Sequence, residues 1–268
     1  MHLNFDWTVT QVIWTLTFAA LLVLLVVLLG RERYKRFKMF SIGLVLLTFR
    51  MLALRLLYQK MAPLGMYEIF IPLALLSGIV GVLVVVEMAR RAFDGLERRT
   101  WLLGTLAVVA VGAAVVGFWG TWPAWKTVSA GTTLAVLGLI QVVAQKTDLL
   151  VNVITVELMV LVLLFGRRYK AAWRSHVQAI LIGLSAVSIG EMLRDGILQL
   201  VLWKSPPHNQ AEYQSVIDFG DKLSSTNQIL FLVVVVWWIA RLWVDEPGGG
   251  VSTPVGIEPA AVGTNDEE

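Results

Sequence analysis

The stretch QVIWTLTFAALLVLLVVLLG at residues 11–30 contains no charged side chain, and the basic segment RERYKRFK follows it at residues 31–38. A helix rises about 1.5 Å per residue, so roughly twenty apolar residues cross the hydrocarbon core of a bilayer. The apolar run begins near Trp7, is too long for the core of a signal peptide and has no basic segment before it. We therefore expect Trp7–Gly30 to remain in the chain as a first transmembrane helix.

The composition of the whole chain also indicates lipid as its solvent. Of the 268 residues, 57% are hydrophobic and only 15% are charged, and the mean hydropathy is +0.73, whereas soluble domains have about a quarter charged residues. The sequence predicts an all-α polytopic membrane protein with seven transmembrane helices. The seven predicted spans are Trp7–Gly30, Met39–Gln59, Glu68–Met88, Trp101–Trp119, Thr132–Phe165, Ser175–Leu202 and Lys222–Trp243.

Basic residues lie in alternate loops and predict how the helices are oriented. Short loops rich in Lys and Arg stay cytoplasmic, which predicts the N-terminus outside and the C-terminus in the cytoplasm, in the inner (plasma) membrane. Residues 1–244 are then one seven-helix domain, and the polar, acidic residues 245–268 are a disordered cytoplasmic tail. The basic residues of the first, third and fifth loops are Arg31, Arg33, Lys35, Arg36, Lys38, Arg90, Arg91, Arg98, Arg99, Arg167, Arg168, Lys170 and Arg174.

The fifth predicted span is unusually long. As one helix, Thr132–Phe165 measures about 51 Å, and the polar residues 145–148 could divide it into two spans. An eighth span would place the basic loop at residues 166–174 outside, against the positive-inside rule. We therefore predict one long helix whose N-terminal half projects outward or lies at the interface.

Several chemistries lack the residues that they need. The chain has no cysteine, and its three histidines, His2, His176 and His208, form no facing pair at membrane depth for a haem. A retinal protein needs a lysine midway along the last helix, where this chain has residues 231–238, all apolar; Lys222 is too near the outer surface. Intramembrane protease motifs are missing. The sequence predicts no enzyme activity, no cofactor, no metal and no nucleic-acid partner.

Charged residues inside a bilayer are costly unless they are paired or hydrated, so they point to function. The second span contains Arg50 and Arg55, which we expect to face the bundle interior, and the fifth contains Glu157 at a depth similar to that of Arg50. Two interpretations remain open. Arg50 and Glu157 either form one structural ion pair or take part in binding a ligand or an ion.

Polar residues concentrate in the outer halves of the last three spans, whereas the inner halves of several spans contain almost only Leu, Val and Ile. On the fifth span, Gln141, Gln145, Asp148, Asn152 and Thr155 are spaced four, three, four and three apart, which places them along one helix face. This asymmetry predicts a polar cavity open to the outer side above an apolar floor. The predicted ligand-binding residues are Arg50, Arg55, Asp148, Asn152, Glu157, Glu191, Arg194, Asp195 and Asn227.

Two further patterns concern the inner ends of the helices. Glu87 is one turn from both Arg90 and Arg91, which predicts a local salt bridge. The sequence GRERYK at residues 30–35 follows the first span, and GRRYK at residues 166–170 follows the fifth. These similar segments suggest a parallel repeat of three helices, with the fourth helix as a connector.

Four short pieces carry a family resemblance: the RERYK loop at residues 31–35, Arg50, EMARRAF at residues 87–93 and WRSH at residues 173–176. Together they resemble a family of uncharacterised seven-helix integral membrane proteins of acidobacterial type, over most of the chain up to Trp243. That family has no established activity, so the resemblance implies a topology and no chemistry.

An outward polar cavity over an apolar floor is typical of a receptor-like or sensory module. Such a module would signal through a separate membrane or cytoplasmic partner protein. The lipid bilayer would surround it. Two alternatives remain open. One is a small-solute or ion transporter, which the charges near the midplane and the possible repeat favour; the other is a non-catalytic subunit of a membrane complex.

Overall fold

A computed structural model describes residues 8–57, 63–93, 98–119, 133–169, 175–204 and 207–245. Throughout these ranges the backbone is helical apart from caps and short turns, which confirms the all-α class. The N-terminal residues 1–7 and the predicted disordered tail from residue 246 onward lie outside the described residues. The helices are α1 (Val9–Gly30), α2 (Arg33–Arg36), α3 (Lys38–Leu57), α4 (Pro63–Ala92), α5 (Arg98–Phe118), α6 (Thr133–Tyr169), α7 (His176–Lys204) and α8 (Gln210–Trp243).

Six of these helices, α1, α3, α4, α6, α7 and α8, are long and apolar enough to cross a bilayer. The chain is therefore a multi-pass helical membrane protein, as the sequence predicts. The fourth predicted span corresponds to α5, whose apolar part, Gly104–Phe118, is only about 22 Å long. The seven-span count, and the orientation with the N-terminus outside, stay predictions.

The long apolar stretch in the second half of the chain is one continuous helix. Helix α6 contains 37 residues, so the division into two spans does not occur. Lys146, in the segment where a break was considered, donates from Nζ to the carbonyl oxygens of Val116, at 3.3 Å, and of Trp119. These carbonyls end α5, where a cation offsets the negative end of the helix dipole. The polar residue ties two helices together instead of ending one.

Helix α8 begins twelve residues before the predicted start at Lys222. Asn209 is its N-cap: the side-chain Oδ1 accepts from the backbone N–H of Glu212 at 2.9 Å. In return, Glu212 Oε2 accepts from the backbone N–H of His208 at 2.8 Å, which resembles a capping box. The predicted start is wrong because it followed only the apolar run, whereas the cap sets the helix start and leaves polar, exposed turns before that run.

The six long apolar helices form a closed ring. In order of packing the ring runs α1, α3, α4, α6, α7 and α8, and α8 packs back against α1. Helix α5 packs against α6 on the outside of this ring. The ring therefore consists of two consecutive triplets, and the helix that connects them in sequence lies outside it.

One end of the ring is filled by a dense apolar cluster, which we call the floor. Trp238 lies at its centre, 1% exposed, with its ring 5.2 Å from that of Phe40 in an edge-to-face arrangement. The Trp238 indole N–H donates to the carbonyl of Ala179 at 3.3 Å. In lipid such packing stabilises through dispersion contacts. The floor residues, each less than 2% exposed, are Leu21, Leu24, Leu28, Phe37, Met88, Val162, Val177, Ile180, Leu181, Val235, Trp238 and Leu242.

Charged residues surround the floor at what we call the basic end, which contains Arg31, Arg33, Lys38, Arg91 and Arg241. The Glu87 carboxylate accepts hydrogen bonds from the backbone N–H groups of Lys38, Met39 and Phe40 at 2.9 to 3.1 Å. Its predicted local contact is also present, with Arg91 Nη2 at 3.5 Å. The larger role of Glu87 is thus to cap α3, where an anion suits the positive end of the helix dipole.

Candidate functional site

Beyond the floor, the ring encloses a cavity of about 580 Å³. All six ring helices contribute side chains to it, and the part nearest the floor is apolar. The cavity has the size and the mixed lining that are common among small-molecule binding sites. The apolar residues at its inner part include Phe40, Leu44, Val84, Leu184 and Trp238.

Helix periodicity explains why these residues share one cavity. On α7 the lining residues run from Leu184 through Ser188 and Glu191 to Arg194, a spacing that keeps them on one face. Ten residues separate Leu184 from Arg194, so the cavity extends about 15 Å along α7. On α6 the spacing is similar and brings Asp148 and Asn152 to the cavity.

The far end of the cavity, which we call the rim, is lined by Arg194 and Ser224, and Asp195 lies beside Arg194. Arg194 donates to Asp195 Oδ1 from Nε at 2.9 Å and lies 2.8 Å from it through Nη2. The two side chains are 32% and 52% exposed. Because the rim is exposed and the floor is not, the cavity opens at the end opposite the basic end.

The charges inside the cavity are separated. Asn152 Nδ2 donates to Glu191 Oε2 at 2.9 Å and so joins α6 to α7. Asp148 lies close enough to interact electrostatically with Glu191, Asp195 and Arg50. Among the described residues, Arg50 has no hydrogen-bond or ion-pair partner at bonding distance. One guanidinium on α3 therefore faces a cavity whose α6 and α7 sides carry two carboxylates.

The structure brings together six of the nine predicted ligand-binding residues. Their ligand-binding role stays a prediction, but residues of four helices, α3, α6, α7 and α8, converge on this one cavity. The six that line the cavity are Arg50, Asp148, Asn152, Glu191, Arg194 and Asn227.

Three predicted residues do not line the cavity. Arg55 is exposed, and its guanidinium lies 5.7 Å from the ring centroid of Trp14; the expectation that it faces the interior is wrong. Glu157 follows Asp148 by nine residues, which is two and a half turns and places it on the opposite face of α6. Asp195 is at the rim and pairs with Arg194.

The possible ion pair between Arg50 and Glu157 is not formed. Arg50 reaches the cavity, whereas Glu157 lies outside its lining. The buried Glu157 Oε2 atom has no hydrogen-bond partner among the described residues. Similar depth in the membrane does not predict that two residues pair, because depth does not determine the direction in which a side chain points.

Some lining residues were not singled out from the sequence, among them Trp14, Thr17 and Ser77. A signal for this part of the cavity was present in the glycines of α4, since small residues allow close helix packing. A Cβ on Gly78 would lie 2.8 Å from Cγ2 of Thr147 on α6. Across the cavity, a Cβ on Gly190 would lie 2.5 Å from Oδ1 of Asn227 on α8.

No family model matches the chain, and searches of the curated proteins and of the solved structures find no match either. The fold and the site define a multi-pass helical membrane protein with a charged internal cavity. The resemblance to the acidobacterial-type family stays a prediction.

Proposed function

We propose that this chain is a receptor-like membrane protein that captures a small polar ligand in its cavity and signals through a separate partner. One observation supports this above all: a cavity with separated charges opens at the rim and is closed below by the floor. An open rim admits a ligand, and a floor of residues less than 2% exposed opposes its passage. Capture without passage is what a receptor requires.

The contacts below the cavity supply a route for the signal. Asn227 lies against Gly190, and Trp238 lies against Gly183, so α7 and α8 touch both beside the cavity and in the floor. A ligand that shifts α8 relative to α7 would therefore move the end of α8 at the basic end, where Asp245 pairs with Arg33 at 2.9 Å. The described residues contain no separate output domain, which is why the proposal includes a partner.

The proposal places the basic end in the cytoplasm and the rim outside, across the inner (plasma) membrane. The basic residues around the floor support this orientation through the positive-inside rule. The partner would then contact the basic end from the cytoplasm or from within the membrane.

Thiol labelling tests whether the rim is open, because the chain has no native cysteine. Ser224→Cys places a thiol in the cavity lining, and Leu193→Cys is a matched control on α7, where Leu193 is 59% exposed on the lipid-facing side. Thiols react as thiolates, which form in water and not in lipid. In intact cells, a membrane-impermeant reagent should label Ser224→Cys at least about tenfold faster than Leu193→Cys.

Equal rates for the two variants would contradict an open cavity. That result would favour the remaining alternative, a non-catalytic subunit whose internal charges serve only its own packing.

A second candidate function is transport of a small solute or ion. The ring favours transport because its two triplets are arranged alike. A half-turn exchanges α1, α3 and α4 with α6, α7 and α8, and each pair of neighbouring helices then falls on another pair of neighbouring helices. Parallel repeats related by an axis along the membrane normal are found among transporters. Uptake by proteoliposomes that contain this chain alone, lost in Arg50→Ala, would favour transport over reception.

A further inference from the structure

We infer that the ligand is a small zwitterion with an apolar part: its anionic group binds Arg50, its cationic group binds between Asp148 and Glu191, and its apolar part packs on the inner end of the cavity. This inference rests on the proposed capture of a ligand and adds its chemical class.

Arg50 lines the cavity and makes no ion pair with any described residue, and its charge lies within a membrane-spanning helix. A guanidinium pairs best with a carboxylate or phosphate, through two parallel hydrogen bonds. Arg194, the other lining guanidinium, is already engaged by Asp195. Arg50 is therefore the group that is available to an anionic group of a ligand.

Asp148 and Glu191 both line the cavity and interact repulsively with each other. Asn152 donates to Glu191 Oε2, and none of the described cations forms a salt bridge with either carboxylate. A ligand ammonium group between them would offset the repulsion and donate a hydrogen bond to each carboxylate.

One part of the cavity lining is apolar. Phe40, Phe231 and Trp238 line the cavity together with Leu44 and Leu184. No charged side chain stands among them, so an aliphatic or aromatic group fits there and a second charge does not.

Ligands with a single charge fit this arrangement less well. An anion that pairs with Arg50 would also meet the repulsion of Asp148 and Glu191, and a cation between the carboxylates would leave Arg50 unpaired. Only a molecule with both charges satisfies all three groups at once.

Two sets of three compounds test this, each with one apolar group in common. The first set is L-leucine, 4-methylpentanoate, which lacks the amine, and 3-methylbutylamine, which lacks the carboxylate. The second set is L-phenylalanine, 3-phenylpropanoate and 2-phenylethylamine. Binding to the purified full chain is measured by isothermal titration. Because one charged hydrogen-bonded contact is lost with each missing group, the amino acid of at least one set should bind about tenfold or more tightly than both analogues.

Variants then assign the two ends of the ligand. In Arg50→Gln the amino acid should bind no better than the amine, and in the double variant Asp148→Asn with Glu191→Gln it should bind no better than the acid. Arg55→Gln and Glu157→Gln are matched controls, since both residues lie outside the cavity lining, and they should keep the wild-type order. Circular dichroism and thermal melting of each variant confirm that it is folded.

The outcomes separate this inference from the proposed function. Fast labelling of Ser224→Cys together with equal or tighter binding of a singly charged analogue, or with no binding of either amino acid, overturns the zwitterion and leaves ligand capture standing. Slow labelling of Ser224→Cys overturns both.

Discussion

The floor and the cavity are made by the same six helices, yet they are built on opposite principles. In the floor, Trp238, Phe37 and Met88 fill the space between helices with apolar atoms that are almost completely buried. A short distance along the same helices, Arg50 and Asp148 face an unfilled space instead. The difference indicates that the floor holds the ring together, whereas the charged groups of the cavity add little to stability. Four substitutions test this contrast.

The largest loss of stability is expected for Trp238→Ala. Removing the largest fully buried side chain leaves a void between α3, α7 and α8, which should lower the free energy of unfolding by about 3 kcal/mol. Trp203→Ala is the matched control, because Trp203 is 80% exposed and its loss should cost well under about 1 kcal/mol. Reversible unfolding in mixed micelles measures both. Similar losses in the two variants would contradict the assignment of the floor.

Gly183→Ala should also destabilise the floor, because Gly183 on α7 contacts the Trp238 ring of α8. An added Cβ would lie 2.4 Å from Nε1 of Trp238, so the buried indole would have to leave its place in the floor. We expect a loss of about 1–3 kcal/mol in the free energy of unfolding. At Gly104 no atom lies within 4 Å of an added Cβ, so Gly104→Ala should be neutral or slightly stabilising. A stable Gly183→Ala protein would show that α7 and α8 are not tightly packed there.

Glu87→Gln tests the cap at the edge of the floor. The neutral amide keeps the shape of the side chain but loses the charge that faces the N-terminus of α3, so the free energy of unfolding should fall by about 1 kcal/mol. The control is Glu32→Gln, which removes an exposed carboxylate paired only locally with Lys35 and should change the stability little. If both variants unfold at the same denaturant concentration, Glu87 is not a significant cap.

Arg50→Gln should have the smallest effect on stability. Because Arg50 has no ion-pair partner among the described residues, replacing it should change the free energy of unfolding by less than about 0.5 kcal/mol or increase it. Arg91→Gln provides the contrast at the basic end, where the guanidinium contacts Glu87 and lies 5.3 Å from the ring of Phe37. A large loss in the free energy of unfolding of Arg50→Gln would identify Arg50 as a structural residue. The contrast in stability between the floor and the cavity would then not hold.

Six of the seven predicted spans and much of the cavity lining followed from the sequence because both depend on local sequence pattern. Asp148 and Asn152 are one turn apart, so any helix at this position places them on a common face. The same periodicity excludes Glu157 from this face, because it is nine residues from Asp148 and therefore lies on the opposite side of the helix. Arg55, five residues from Arg50, is likewise rotated away from it by about 140°; the mistake was to assume that every charge in a span faces inward.

Contacts between helices that are distant in sequence could not be predicted in this way. Glu87 caps a helix that begins 49 residues before it, and no local spacing reveals that contact. The closure of the ring by α8 against α1 is a property of packing, as is the position of α5 outside the ring. Such features depend on which faces complement each other, which hydropathy does not encode.

The closure of the ring by its last helix has a consequence for biosynthesis. Arg50 enters the bilayer early, but Glu191 is translated about 140 residues later, which takes roughly 7–28 s at ordinary elongation rates. During that interval the Arg50 guanidinium must remain among lipids or beside the insertion machinery, without the acidic groups that later line the same cavity. We therefore expect the second span to leave the translocon slowly, and the nascent chain to depend on insertion chaperones until its final helix arrives.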